Sequence, residues 1–201
     1  MSTTSALAGL ALPAPRFTIL DMKQQPNKKV PNAFHVFQHA CRFLSTEQYL
    51  SNGPGDNDWR GNIALPTLVL SAFAAELFLK CLLILETEKA PANTHQLHVL
   101  FRQISHQRQR RIIELWDVEG RPKILGIALI HNLPLDLPNA IDRCSRAFER
   151  IRYGYEADWD DVVYYIDLPR ITYKVILEIR SDWRPTITPP SPAPPQPLSQ
   201  G

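Results

Sequence analysis

The sequence predicts an all-α protein, an antiparallel helical bundle flanked by a disordered N-terminal arm and a disordered Pro-rich C-terminal tail. Residues 63–85 form a long apolar run that is interrupted by two charges, Glu76 and Lys80, and a few small polar residues. Elsewhere apolar residues recur at the three- and four-residue spacing of a helix with one buried face. A helix that is apolar nearly all round is either a central core helix or a membrane span, and two charges favour the core.

The first two helices follow from this pattern. The first is expected over residues 33–50, and a polar loop over residues 51–62 follows it, with a Gly-Pro break inside. The buried helix is expected over residues 63–87, with Pro66 tolerated in its first turn. The inward stripe of the first helix consists of Phe34, Phe37, Cys41 and Leu44.

The later elements are shorter. A narrow stripe of apolar residues over 97–104 predicts a helix, and a short helix is expected to follow near Ile112 and Trp116. Residues 120–122 predict a break after it. Residues 123–133 suit either helix or strand. An amphipathic helix is expected over residues 139–156, and Leu168-Pro169 open the last one. The predicted inward residues of these two helices are Ala140, Cys144, Ala147, Phe148, Ile151, Tyr155, Ile171, Val175, Ile176 and Ile179.

Length and composition suit one domain with a substantial core, since the chain has 201 residues, 44 % of them hydrophobic. The bundle is expected over residues 31–184, the arm over residues 1–30 and the tail over residues 185–201. The net charge of +2 is too small to indicate a partner. Three cysteines without CxxC spacing predict reduced core residues in a cytoplasmic protein. They are Cys41, Cys81 and Cys144. The first basic residue is Arg16, so no signal peptide is expected, and no membrane is expected either.

Glu76 and Lys80 lie one turn apart on one face of the buried helix, so we expect them to be buried and paired. Arg152 flanks the apolar stripe of its own helix, and we expect its guanidinium to turn inward towards Glu76.

A line of arginines, Arg143, Arg146 and Arg150, shares one face of the 139–156 helix, and Tyr153 extends it. Cations followed by an aromatic ring suit phosphate contacts and base stacking. A solvated surface with Glu149 nearby is the alternative interpretation.

A second basic cluster contains no acid. It suits an anionic partner such as RNA or a nucleotide, whereas the alternative is a basic helix end that meets water or the helix dipole. His98 and His106 are expected to share a helical face with Arg102. The cluster consists of Arg102, His106, Arg108, Arg110 and Arg111.

Neither a metal site nor a cofactor is predicted. His35 and His39 have the spacing of helical ligands but lack a third ligand, and the acidic residues 156–161 suit a solvated loop better than a magnesium site. Gly-rich phosphate loops, GxSxG and HExxH motifs are absent from the sequence.

Three segments resemble a known family, the HEPN domains. Residues 72–83 (AFAAELFLKCLL) are similar to its central helix, and residues 94–97 (THQL) are similar to the segment that follows that helix. Residues 148–156 (FERIRYGYE) resemble the RYxxE stretch of many HEPN-like proteins. The resemblance spans roughly residues 33–180. It implies an antiparallel helical bundle, frequent homodimers, and RNA cleavage or binding in defence or toxin–antitoxin systems.

One departure from the family pattern matters for activity. Ribonuclease members carry Arg-x(4–6)-His on a late helix, but no histidine follows Arg143, Arg146 or Arg150 here. The general acid or base for a 2′-hydroxyl is therefore missing, and the resemblance implies a degenerate, non-catalytic protein that binds RNA or a nucleotide. Two alternatives stay open. One is a metal-independent ribonuclease using Arg150 or Arg152 with Tyr153 or Tyr155, and the other is a protein-interaction module, such as a toxin or antitoxin partner.

Overall fold

The structure of the protein is a computed structural model that describes residues 29–53, 57–145 and 166–184, with the backbone alone for residues 57–61. Every regular element within these ranges is helical, so the predicted all-α class is confirmed. Most of the arm, all of the tail and residues 146–165 lie outside the described residues. The α-helices are α1 (Ala33–Ser51), α2 (Asn57–Thr87), α3 (Leu97–Gln103), α4 (His106–Leu115), α5 (Arg121–Ile130), α6 (Leu137–Cys144) and α7 (Leu168–Ile179).

Helices α1 and α2 form an antiparallel hairpin at the centre of the fold. Helix α1 begins where predicted, because the side chain of Asn32 accepts hydrogen bonds from the first backbone amides of the helix. The ring of Phe37 packs on Phe78 and that of Phe43 packs on Phe73, so α2 runs backwards along α1. The predicted inward residues Phe37 and Leu44 are buried, whereas Phe34 is exposed.

The predicted start of α2 is wrong, because the helix begins at Asn57 rather than near residue 63. Pro66 therefore lies in the interior of the helix and not in its first turn. A proline deprives the carbonyl four residues earlier of its amide donor. Pro66 and Asn62 are both exposed, so water can satisfy that carbonyl. The Thr67 hydroxyl donates to the Ile63 carbonyl at 2.7 Å, which supports the next turn.

The C-terminal half of α2 fills the core, where Ala74, Phe78, Leu79 and Leu82 have no exposed surface. By length and composition alone, Asn62–Thr87 is apolar enough to cross a membrane. Of its most apolar window, however, 56 % is buried inside the fold. A buried core helix passes the same test, so this single span is weak evidence for a membrane.

The predicted break at Gly120 is wrong. A π-helical turn, Trp116–Gly120, continues α4 directly into α5. Trp116 is fully buried and donates its indole N–H to the Leu135 carbonyl at 2.9 Å. A Cβ at position 120 would lie 2.3 Å from the Trp116 ring, so glycine serves close packing here rather than a turn. Pro122 is the second residue of α5, just after the π-helical turn.

Helices α6 and α7 begin where predicted. The Asp136 side chain caps α6 by accepting from the Asn139 amide at 3.0 Å, and Ala140 and Cys144 are buried as expected. The rest of the predicted 139–156 helix lies outside the described residues. In α7 the predicted stripe is confirmed, since Ile171, Val175 and Ile176 are buried and Ile179 packs against the core.

All three cysteines are free thiols in or beside the core. Cys81 and Cys144 are buried and Cys41 is half-buried. Burial raises the pKa of Cys41 to about 11. The prediction of reduced core cysteines therefore agrees with their positions.

Gly120, just before α5, and Gly126, inside α5, provide a matched test of this packing. We expect Gly120→Ala to lower the free energy of unfolding by about 1–3 kcal/mol, because the added methyl group meets a buried ring that cannot retreat. Gly126→Ala is the control, since nothing lies within 4 Å of a Cβ there. That substitution should raise helix stability by up to about 1 kcal/mol. Urea unfolding measures both, and equal effects would contradict the close approach.

Candidate functional site

Glu76 lies in the most buried part of α2 and is only 7 % exposed. Its Oε1 accepts a hydrogen bond from Lys80 Nζ at 2.7 Å. The Lys80 side chain is largely covered as well. The predicted pairing is therefore confirmed, with Glu76 buried and Lys80 partly buried. The predicted third member, Arg152, lies outside the described residues.

Sequence reasoning missed His95 as a partner of Glu76. Its Nδ1 lies 3.1 Å from each carboxylate oxygen of Glu76. The imidazole is 68 % exposed, and the contact therefore orients a ring that faces solvent. A carboxylate that holds one imidazole nitrogen leaves the other one oriented for proton transfer or for a hydrogen bond to a ligand.

Helix α6 closes the site on one side. Ser145 accepts a hydrogen bond from the His98 amide at 2.8 Å and donates to the Ile141 carbonyl, which ties the start of α3 to the end of α6. A cavity of about 10 Å³, enough for one water molecule, lies beside Glu76 and His95. The site therefore has room for water but not for a substrate.

The second basic cluster is divided by the fold between two helices. Arg102 is exposed on α3, whereas His106 begins α4, so these two residues do not share a helical face as predicted. The chain turns between them at Ser105, whose amide and hydroxyl both donate to the Glu86 carboxylate. His106 and Arg110 lie one turn apart on the exposed face of α4, and Arg108 is half-buried on another face.

Pairing divides this cluster further. Arg111 donates to Glu178 of α7 at 2.6 Å and to Glu114 at 3.2 Å, and these hydrogen bonds raise its pKa. Arg102, Arg108 and Arg110 have no ion pair within the part of the chain that the structure describes. We call Arg102, His106, Arg108 and Arg110 the α3–α4 basic surface.

Only the first residue of the predicted arginine line can be placed. Arg143 is exposed on α6. Arg146, Arg150 and Tyr153 lie outside the described residues, as do Arg152 and Tyr155. The predicted line thus stays a prediction.

A second buried charge cluster was also missed. Glu47 on α1 and Asp167 before α7 are 2 % and 3 % exposed, and Arg170 lies between them. Its guanidinium approaches Glu47 at 4.0 Å and Asp167 at 3.4 Å. Lys123 also donates a hydrogen bond to Asp167. The signal was the position of Glu47, which continues the buried stripe of Phe37, Ala40 and Leu44 along α1.

Burial raises the pKa of Glu47, and the nearby Asp167 raises it further. The hydrogen bond from Ser51 at 3.0 Å and the charge of Arg170 act in the opposite direction. The second carboxylate oxygen, Oε2, is buried without a hydrogen-bond partner. The charged form of Glu47 is therefore incompletely compensated.

Within residues 29–53, 57–145 and 166–184 no group of three or more histidine, cysteine or acidic side chains could hold a metal ion. His35 and His39 are both exposed on α1. The acidic residues 156–161 lie outside these ranges.

Comparison with known proteins finds no relative, since no family model, curated protein or solved structure matches the chain. The resemblance to HEPN domains therefore depends on the three sequence segments alone.

Replacing Glu76 by alanine leaves the partly buried Lys80 without its counterion. We expect Glu76→Ala to lower the free energy of unfolding by about 3–5 kcal/mol, since an unpaired buried charge is costly. His95→Ala is the control, and the loss of this exposed partner should cost less than about 1 kcal/mol. Thermal unfolding measures both. An unchanged midpoint for Glu76→Ala would refute the structural role of the pair.

Glu47 should make stability depend on pH. Because its pKa in the folded state is raised above the ordinary value of 4.5, its favourable contribution is complete below that value. It is then lost as the pH rises through the folded-state pKa. Glu47→Gln mimics the neutral form, so its stability relative to the parent should grow with pH.

Urea unfolding at pH 4 and pH 7 measures this difference. Glu88→Gln, at an exposed acid just after α2, serves as the control. A Glu47→Gln variant whose relative stability falls with pH would show that Arg170 and Ser51 fully compensate the charge.

Proposed function

We propose that the protein is a HEPN-like, non-catalytic protein that binds RNA through the α3–α4 basic surface, in a defence or toxin–antitoxin setting. The observation that carries this proposal is a set of cations without acidic partners among the described residues. Arg111, in the same helix, is neutralised by Glu178, so unpaired charge is not a general property of this region.

The arrangement of these cations favours RNA over a small nucleotide. Arg102 and Arg110 lie on the outer surfaces of two consecutive helices, separated by the turn at Ser105. Charges spread along an outer surface suit the successive phosphates of an extended chain. Arg143 of α6, together with Arg146 and Arg150, would extend the same interaction.

Spatial proximity supports the resemblance as a basis for this proposal. Two of the three similar segments, residues 72–83 and 94–97, meet through the contact between Glu76 and His95. Two separate segments of the resemblance are thus joined by residues that both lie within it. The third segment, residues 148–156, lies outside the described residues.

The proposal of a non-catalytic role comes from the missing histidine. Without a histidine after Arg143, the arginine–histidine pair of the ribonuclease members cannot form. The weak catalytic candidates Arg150, Arg152 and Tyr153 all lie outside the described residues.

The surface of α5 supports a second candidate function, a protein-interaction module. Exposed apolar side chains cover this helix and the π-helical turn before it, and such patches mark contact sites between proteins. The homodimer that we propose would use this surface. The exposed side chains are Val118, Leu125, Ile127, Leu129 and Ile130.

A triple variant tests RNA binding. Replacing Arg102, Arg108 and Arg110 by glutamine should weaken binding to single-stranded RNA. In a plot of log affinity against log salt concentration, the slope should also become shallower by about 0.7 for each phosphate that the variant can no longer neutralise. Fluorescence anisotropy over a series of salt concentrations measures both quantities.

A matched control removes three cations that are already paired. Arg111, Arg121 and Arg180 each have an acidic partner, so replacing these three by glutamine should change the slope less. If the variant at Arg102, Arg108 and Arg110 keeps the parent's RNA affinity and salt dependence, the protein-interaction module becomes the favoured function. RNA cleavage by the parent that disappears in Arg150→Ala or Tyr153→Phe would show that the protein is a ribonuclease.

A further inference from the structure

A groove of about 750 Å³ opens between α1 and α7. The two helices also approach each other at two places. The rings of Phe37 and Tyr173 stack, with centroids 5.6 Å apart and planes at 11°. Arg170 approaches Glu47 at 4.0 Å. The groove is thus built from core-anchored residues of both helices.

Three cationic side chains line the groove, namely Arg42 from α1 and Arg170 and Lys174 from α7. The guanidinium of Arg42 has no ion pair or hydrogen bond among the residues that the structure describes. The Nε of Arg170 is buried and lacks a hydrogen-bond partner.

The acids near these cations are either shared with another cation, already paired, or too far away for a hydrogen bond. Asp167 is shared between Arg170 and Lys123, and Glu119 pairs with Lys174. Glu47 is the other acid beside Arg170, but its Oε2 lies 4.0 Å from the guanidinium and makes no hydrogen bond to it. Arg42 therefore gives the groove a positive charge that no described acid neutralises, and Arg170 contributes a second guanidinium to the lining.

The remaining lining is both apolar and hydrogen-bonding. Cys41 and Leu44 form an apolar wall on α1, Tyr173 contributes an aromatic ring, and Ser45 contributes a hydroxyl. A mostly preformed cleft with an apolar wall and a few convergent polar groups is the usual architecture of a small-molecule site, and its volume lies within the usual range.

We propose that this groove binds a small organic phosphate. The phosphate would contact Arg42 and Arg170, because a planar guanidinium donates paired hydrogen bonds to phosphate oxygens. The organic part would lie against Leu44 and the ring of Tyr173. This site goes beyond the proposed RNA binding, since it uses no residue of the α3–α4 basic surface.

Isothermal titration with phenyl phosphate tests the site, because this probe joins a phosphate to a ring. We expect saturable binding with a Kd below ~10 mM, weaker binding of inorganic phosphate, and none of phenol, which lacks the charge. Arg42→Gln should weaken phenyl phosphate binding by about tenfold or more. Arg42 is exposed and its guanidinium has no ion pair or hydrogen bond among the described residues, so this variant should fold normally.

Arg110→Gln, on the α3–α4 basic surface, is the matched control and should leave phenyl phosphate binding unchanged. Lys174→Gln should weaken binding less than Arg42→Gln does, because Glu119 already pairs with Lys174. Absence of saturable binding, or equal affinity in the parent and in Arg42→Gln, would overturn the proposal. Because RNA titrations respond to Arg102, Arg108 and Arg110 instead, failure of this site and failure of RNA binding are distinguishable.

Discussion

The burial of one carboxylate, Glu76, in the most apolar helix of the protein constrains the elements around it. A charge in that position is stable only when it is paired. Lys80 supplies a partner from the next turn of α2, and His95 supplies a second from the segment that enters α3. The pairing thus holds the start of α3 against the central helix, and α6 joins them through Ser145.

Helices with a regular apolar stripe were predictable from the sequence, as α1 and α7 illustrate. One face of each helix is buried by the whole fold, and the apolar residues of that face recur at helical spacing in the local sequence. The errors occurred where a local breaker was outweighed by tertiary structure. Gly120 resembled a turn residue, but its lack of a side chain lets the buried Trp116 pack against it. Pro66 resembled a helix start, yet α2 accommodates it on an exposed face.

The sites show the same division between local and distant information. Glu76 and Lys80 are one turn apart, so helical geometry alone predicted their pairing. His95 is 19 residues from Glu76, and no periodicity connects them. The contact between Glu47 and Arg170 joins α1 to α7, and it too could not be read from spacing. A glutamate within a buried stripe signals that a partner must exist, but not where it lies.

The fold also determines which cations of a sequence cluster are available to a ligand. Arg110 and Arg111 are adjacent in sequence but point about 100° apart around α4, because a helix turns by that angle at each residue. Arg111 therefore reaches Glu178 of α7, while Arg110 faces solvent. The same distinction separates Lys174, which Glu119 neutralises, from Arg42. A run of like charges in a sequence is thus divided by helical geometry into cations that support the fold and cations that can meet an anion.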